Sequence, residues 1–144
     1  MDKKYAFDTI EECKKQIVDK CTILDINHIT NYTLLECFTR MVKTIIFLAI
    51  ATAPISIWMH SNLNSAIIVL VILLFAFYVG KLIMSWVKYN YNQSYIKAKT
   101  ALFNYILSNC REYNETNYKD WERKQIIEKM SSLVDLKVEW ININ

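Results

Sequence analysis

Residues 44–80 read TIIFLAIATAPISIWMHSNLNSAIIVLVILLFAFYVG, a stretch without a single Asp, Glu, Lys or Arg. With its flanks it contains two apolar runs, 41–59 and 66–87, separated by the polar segment 60–65. A membrane-spanning helix needs about 20 mostly apolar residues, and each run has about that length. The sequence therefore predicts a transmembrane helical hairpin with a short outer loop.

Basic residues flank the two runs on one side only. Arg40 and Lys43 lie at the start of the first run, just before the uncharged stretch, and Lys81 and Lys88 lie at the end of the second, just after it. The segment 60–65 contains neither Lys nor Arg. Loops rich in Lys and Arg stay in the cytoplasm during insertion. We therefore expect a multi-pass protein of the cell inner membrane with both termini in the cytoplasm.

The predicted fold class is a mainly α membrane protein in three parts. They are a cytoplasmic N-terminal helical segment at 1–40, the hairpin at 41–87 and a small helical cytoplasmic region at 88–144. The two cytoplasmic parts are too small to bury much apolar surface alone, so we expect them to pack on each other or to oligomerise. The single Gly and the single Pro argue against a Gly-rich phosphate-binding loop.

An amphipathic pattern predicts a helix over residues 5–24. Apolar side chains recur there at steps of three and four: Phe7, Ile10, Cys13, Ile17, Cys21 and Leu24. The opposite face mixes acids with lysines, which favours packing on the cytoplasmic region over a position in the plane of the inner leaflet. The segment 25–32, DINHITNY, predicts a break. Thr33 and Glu36 then have the spacing of a capping box for a helix that enters the first span.

The C-terminal region is predicted to be helical with a different end. Residues 93–110 continue the second span or form a helix just beyond it, 111–117 form a break, and 118–132 form another helix. Val134, Leu136, Val138 and Trp140 then alternate with charged residues, and Ile141 and Ile143 continue less regularly. Strict alternation favours one β-strand, which would pair with another subunit; the alternative is a helix tail that happens to alternate.

Small and hydroxyl-bearing residues mark the spans, and Pro54 predicts a kink in the first. The candidate packing or pore residues are Thr44, Ala49, Thr52, Ala53, Pro54, Ser56, Ala76 and Gly80. Small residues let helices approach closely, either within the hairpin or at an oligomeric seam. A pore face would be lined by Thr44, Thr52, Ser56 and His60. No carboxylate or Arg lies in either span, which argues against a proton relay or an ion-coupled transporter.

No arrangement of residues predicts catalysis, a metal site or a cofactor, so we do not expect an enzyme. The only two histidines lie on opposite sides of the predicted membrane, and all four cysteines are expected to be buried structural thiols. Cationic and aromatic residues interleave in the C-terminal region. Those that could bind a ligand are Lys97, Lys99, Arg111, Trp121, Arg123 and Lys124. Such a set suits a nucleotide or oligonucleotide rather than a DNA duplex; the alternative is a solvated surface beside an anionic leaflet.

The layout comprises a short N-terminal helix, a tight hairpin and a helical tail that begins in Tyr95-Ile96-Lys97-Ala98. It resembles the small two-span effectors of bacterial antiviral defence, including SLATT-type membrane proteins and those linked to cyclic-oligonucleotide signalling in CBASS or CRISPR systems. The resemblance implies a homo-oligomer that senses a cyclic oligonucleotide or a soluble defence partner and then forms a pore or disrupts the membrane. The alternatives are a non-enzymatic anchor or scaffold for a soluble partner and a holin-like phage-exclusion protein.

Overall fold

The computed structural model describes residues 5–141 and is almost entirely helical. The helices are α1 (Ile10–His60), α2 (Leu63–Ser108), α3 (Arg111–Glu115) and α4 (Asp120–Ser132), followed by a 3-10 turn at Val138–Trp140. Two compact units form: a hairpin unit of residues 29–92, and a terminal unit of residues 5–28 with 93–141. The two units are defined by packing contacts. The predicted parts 1–40, 41–87 and 88–144 were defined by the expected membrane boundary, so the two divisions describe different things.

Both long helices contain an apolar stretch long enough to cross a membrane. None of the residues in the most apolar 18-residue stretch of either helix is buried, unlike the core helix of a soluble protein. The connection between the helices is shorter than the predicted loop 60–65, because only Ser61 and Asn62 lie outside them. The Asn62 side-chain oxygen accepts a hydrogen bond from the Ser65 backbone N–H at 2.8 Å and so caps α2.

The predicted break at 25–32 is wrong, because α1 passes through it without interruption. The segment contains neither Gly nor Pro, and each Asn, Asp or Thr costs a helix less than about 0.7 kcal/mol. Thr33 therefore caps nothing, and its hydroxyl donates to the Ile29 carbonyl at 2.8 Å. The same T-x-x-E spacing caps α1 at its true start, where the Thr9 hydroxyl accepts the Glu12 N–H at 3.2 Å.

Pro54 lies inside α1, which continues to His60. The proline removes the hydrogen bond to the Ile50 carbonyl without ending the helix. The Thr52 hydroxyl donates to the Leu48 carbonyl at 2.8 Å, so it does not satisfy the carbonyl that the proline leaves free.

One hydrophobic core holds the terminal unit together. It combines residues from α1, from the end of α2, from α3 and α4, and from the C-terminal segment: Cys13, Ile17, Cys21, Phe103, Ile106, Leu107, Cys110, Tyr113, Ile127, Met130, Val134, Leu136 and Ile141. The amphipathic N-terminal helix thus buries its apolar face against the C-terminal region, as its mixed polar face predicts. The backbone of Phe7 adds an isolated parallel bridge to Cys110, with Phe7 accepting from the Arg111 N–H at 2.9 Å.

The predicted C-terminal strand is wrong. Over residues 134–141 the described chain has a turn and then the 3-10 turn Val138–Trp140, with no strand. Asp135 adopts a left-handed conformation with φ of 51°, and the Leu136 N–H donates to the Ser131 carbonyl at 3.0 Å. Val134 and Leu136 alternate with exposed residues because the turn directs both toward the core. Ile143, which the strand prediction included, lies outside the described residues.

The three other predictions for the C-terminal region have different outcomes. The break predicted at 111–117 contains the short helix α3 (Arg111–Glu115), and the helix predicted at 118–132 corresponds to α4 (Asp120–Ser132). Of the two alternatives for 93–110, the structure shows continuation of the second long apolar helix, because α2 extends without a break to Ser108.

Glu112 on α3 caps the start of α1. Its carboxylate accepts the Ile10 N–H at 2.6 Å and the Tyr118 hydroxyl at 3.4 Å. We expect Glu112→Ala to lower the free energy of unfolding by about 1 kcal/mol, the usual effect of losing an N-terminal cap. Chemical denaturation of the detergent-solubilised protein measures it. Glu115→Ala is the control, because Glu115 makes only an exposed ion pair with Arg111; equal losses in the two variants would contradict the capping role.

Candidate functional site

An exposed row of side chains runs along one face of α1, and we call it the outer row. Its members recur at the 3.6-residue period of a helix: Leu34, Cys37, Phe38, Met41, Ile45, Leu48, Thr52, Ile55 and Met59. Every member is exposed. Leu34 and Phe38 precede Arg40, so this apolar face extends beyond the predicted first span into a region where lipid tails would not cover it.

The opposite face of α1 and one face of α2 form the inside of the hairpin. Their buried and half-buried residues alternate at steps of four and three: Leu35, Thr39, Val42, Ile46, Ala49 and Ala53 on α1, and Ala66, Leu70, Leu73, Phe77, Gly80 and Met84 on α2. This spacing is typical of two helices packed side by side. Stacked rings of Tyr32 and Tyr91, 6.4 Å apart, continue the pairing at the end of the hairpin unit.

The candidate packing and pore residues divide between these two surfaces. Ala49, Ala53 and Gly80 belong to the inside of the hairpin, and Pro54 is half-buried. Exposed positions are taken by Thr44, Thr52, Ser56, His60 and Ala76. The Thr44 and Thr52 hydroxyls donate to carbonyls of their own helix, at 2.9 Å and 2.8 Å, which lets them face lipid or another helix without an unsatisfied donor.

The six candidate ligand-binding residues are distributed over three helices of the terminal unit. Lys97 and Lys99 lie on α2, Arg111 on α3, and Trp121, Arg123 and Lys124 on α4. Three of them already have partners. Arg111 pairs with Asp8 at 3.2 Å and with Glu115 at 3.5 Å, Arg123 stands over the Tyr113 ring at 5.5 Å, and Lys99 is buried. Lys97, Trp121 and Lys124 remain exposed.

Lys99 is the centre of a buried polar network rather than a ligand-binding cation. It is only 4% exposed and lies 2.9 Å from the Asp25 carboxylate and 3.2 Å from the Tyr95 hydroxyl. Tyr95 also donates to Asp25, and its ring stacks on His28 with centroids 3.9 Å apart. The network joins α1 to α2 within the terminal unit and engages Lys99 with the Asp25 carboxylate and the Tyr95 hydroxyl.

The protonation state of this network favours the folded protein at neutral pH. Burial acts to lower the pKa of Lys99, but hydrogen bonds to Asp25 and Tyr95 outweigh it, so the pKa lies above its ordinary value. Burial and the Asp25 hydrogen bond raise the pKa of Tyr95. The raised lysine pKa stabilises the fold below about pH 10 and this contribution is lost as Lys99 deprotonates.

A polar cavity in the terminal unit escapes sequence analysis. Its volume is about 440 Å³, and it is lined by Ala101, Asn104, Tyr105, Leu107, Ser108, Tyr113 and Asn114. The Asn104 side-chain oxygen is buried and accepts no hydrogen bond from the described residues. Asn114 holds one wall, donating to the Cys110 carbonyl at 2.6 Å. The only hint of this cavity in the sequence is Asn104, a polar residue between the core residues Phe103 and Ile106. None of the six candidate ligand-binding residues lines the cavity.

Three cysteines are buried as predicted, and the prediction for Cys37 is wrong because it is exposed. Burial, together with neighbouring Cys110, raises the pKa of Cys13, so its thiol is a poor nucleophile. Cys37 lies on the outer row in the hairpin unit. Within residues 5–141 no group of three His, Cys, Asp or Glu side chains could hold a metal ion.

Comparison with protein families, with curated proteins and with solved structures gives no match to this chain.

Asp25→Asn tests the buried network. Removing one charge leaves Lys99 buried without its counterion, which costs roughly 3–5 kcal/mol for a fully buried pair; Asp25 is about one-third exposed, so we expect the lower end of that range. The midpoint of thermal unfolding should fall by several degrees. The exposed Asp19 on the same helix supplies the control Asp19→Asn. If both variants unfold at the same temperature, the network does not stabilise the terminal unit.

Proposed function

We propose that the chain is a two-span protein of the bacterial inner membrane, with both termini in the cytoplasm. Copies assemble through the outer row of α1 into an oligomer that breaches the membrane barrier when the terminal unit receives a signal. The single observation that supports assembly is the outer row itself, an exposed apolar face that continues past the span.

Membrane insertion is supported by the surface of the hairpin unit. Large apolar side chains point outward on all its turns, with Phe47 67% and Phe75 68% exposed. Monomeric soluble proteins seldom expose contiguous apolar patches larger than a few hundred Å². The charges Arg40, Lys43, Lys81 and Lys88 border the apolar zone at the end away from Asn62, which fits a cytoplasmic location for that end.

Self-assembly is supported by exposed apolar residues that lipid tails would not cover. Two helices enclose no path across a bilayer, so a pore requires several copies. Lipid tails can cover Met41 and Ile45, but Leu34 and Phe38 lie before the basic residues that mark the interface. A second copy inserted in the same direction presents its own Leu34 and Phe38 at the same depth, so one contact covers both surfaces and extends from water into lipid.

The hydroxyl-bearing residues support a pore over a sealed bundle. Thr52 lies on the outer row, and Thr44 and Ser56 lie beside it, all three exposed. Assembly through this row would bring copies of these hydroxyls together. Hydroxyl groups carry no charge, so the opening and closing of such a pore would depend on how the helices pack and not on charged side chains.

Control by the terminal unit is supported by the polar cavity. The free Asn104 oxygen needs a hydrogen-bond donor, and 440 Å³ suits a small polar ligand. A nucleobase offers N–H donors and a ring that could lie beside Tyr105 and Tyr113. Because the layout resembles antiviral effectors, a cyclic oligonucleotide is the first ligand to test. The proposed role in defence is based on that resemblance alone.

An anchor for a soluble partner is the second candidate, and one observation favours it. Trp121, on α4 of the terminal unit, is 56% exposed, and Leu133 at the end of α4 is half exposed. Exposed tryptophan is enriched where proteins bind each other. Stoichiometric recovery of one soluble protein, lost in Trp121→Ala, together with unchanged membrane potential on expression, would favour the anchor over the pore.

Cys37 provides a test of assembly without engineered cysteines. A short bifunctional maleimide added to membranes should yield covalent dimers, because the outer row brings Cys37 residues of neighbouring copies close together. Cys37→Ser should abolish the product, since the three other cysteines are buried. Wild-type protein that stays monomeric under cross-linking at several membrane densities would contradict assembly through this face.

Leu34→Gln combined with Phe38→Gln tests whether assembly causes permeability. We expect wild-type protein, induced in cells that also produce the cyclic oligonucleotide, to depolarise them, measured with a potential-sensitive dye. The double variant should lose both depolarisation and Cys37 cross-linking under the same conditions. Ile29→Gln is the matched control, because Ile29 is exposed on the same helix but off the outer row. If the double variant depolarised cells as strongly as the wild type, at equal amounts in the membrane, then permeability would not depend on the contact made by Leu34 and Phe38.

A further inference from the structure

A second cavity lies in the hairpin unit, between α1 and α2 near the basic end. Its volume is about 160 Å³, and it is lined by Thr39, Val42, Lys43, Ile46, Phe77, Gly80, Lys81, Ile83 and Met84. The interior is apolar, because the only hydroxyl there, that of Thr39, donates to the Leu35 carbonyl of its own helix at 2.7 Å. A small-molecule site usually measures 300–1,000 Å³, so this cavity suits part of a chain rather than a whole ligand.

Gly80 lines this cavity without a side chain. A Cβ atom at Gly80 would meet nothing within 4 Å, so a larger side chain there would enter the cavity rather than clash with α1. The neighbouring small residue, Ala76, is exposed and does not line the cavity. Gly80 therefore keeps a gap open in a helix pair whose spacing would otherwise allow close packing.

Two lysines without a described partner stand at this cavity. Among the four basic residues that border the apolar zone, Arg40 pairs with Glu36 at 3.4 Å and Lys88 stands over the Tyr32 ring at 5.5 Å. Lys43 and Lys81 line the cavity, both are exposed, and neither makes an ion pair with any residue within 5–141. An apolar cavity bordered by two available cations is complementary to an anionic group that carries an apolar chain.

We propose that this cavity binds an anionic phospholipid of the cytoplasmic leaflet, with its phosphate between Lys43 and Lys81 and part of one acyl chain in the space beside Gly80. Basic pockets between membrane helices on the cytoplasmic side bind anionic headgroups. The proposal rests on the membrane insertion proposed above, but not on oligomerisation or pore formation. A bound lipid would fill the gap between the helices and hold the hairpin at one spacing.

The test uses the full chain purified in mild detergent and analysed by native mass spectrometry with added lipid. Phosphatidylglycerol should be retained in preference to phosphatidylcholine, and Lys43→Gln with Lys81→Gln should lower that preference roughly 30-fold, since each interfacial lysine contributes about 1 kcal/mol. Arg40→Gln is the control, because Arg40 is exposed at the same basic border and does not line the cavity. Inorganic phosphate and glycerol phosphate should not compete, because they lack the chain.

Gly80→Leu tests the chain-binding part. It should reduce retention of both lipids, whereas Ala76→Leu, one turn away on the lipid-facing side, should leave retention unchanged. Equal retention of the two lipids by wild-type protein, or an unchanged preference in the double lysine variant, would overturn the proposal. Competition by free phosphate would assign the site to the anion alone. Carbonate extraction of membranes distinguishes a failure of insertion from a failure of the lipid site. Protein that carbonate removes from the membrane would contradict insertion. Protein that stays in the membrane but shows no preference for the anionic lipid would contradict only the lipid site.

Discussion

The large apolar side chains of the hairpin need cover that a single chain does not provide. Two helices can hide only the faces they turn toward each other, and here those faces carry small and medium residues such as Ala49, Ala53 and Gly80. The outward faces carry residues such as Phe47 and Phe75, which are two-thirds exposed. In the proposed arrangement a bilayer covers most of this surface, and a second copy covers the part of the outer row that precedes Arg40. The proposed insertion and the proposed self-association would therefore both cover exposed apolar surface of the same hairpin.

The terminal unit meets the same requirement differently, by sharing a core among separate parts of the chain. Neither the first residues nor the C-terminal region could bury enough apolar surface alone, and together they bury Ile17, Phe103 and Ile127 completely or nearly so. The Asp25–Lys99 pair adds specificity at the edge of that core. Because α1 and α2 each contribute residues to both units, a ligand in the Asn104 cavity would bind beside a helix that also forms the hairpin.

How far the sequence predicts this structure depends on the range of the deciding interaction. The apolar runs, the amphipathic face of Cys13 and Ile17, and α4 were predictable because local periodicity determines them. The break at 25–32 was mispredicted because contacts of Asp25 and His28 with residues seventy positions away outweigh weak helix propensity. The C-terminal strand was mispredicted because alternate burial also arises in a turn, as at Val134 and Leu136. The cavities at Asn104 and at Gly80 could not be predicted, because they depend on how separate helices pack and the local sequence pattern does not contain that information.

The orientation of the hairpin is the claim on which the functional proposals depend. A membrane-impermeant maleimide applied to intact cells measures it directly in a Cys37→Ser, Asn62→Cys variant, compared with the native chain. We expect the cysteine at position 62 to be labelled from outside, and native Cys37 to be labelled only after the cells are opened. Labelling of Cys37 in intact cells, or protection of position 62 until lysis, would contradict a hairpin with both ends in the cytoplasm.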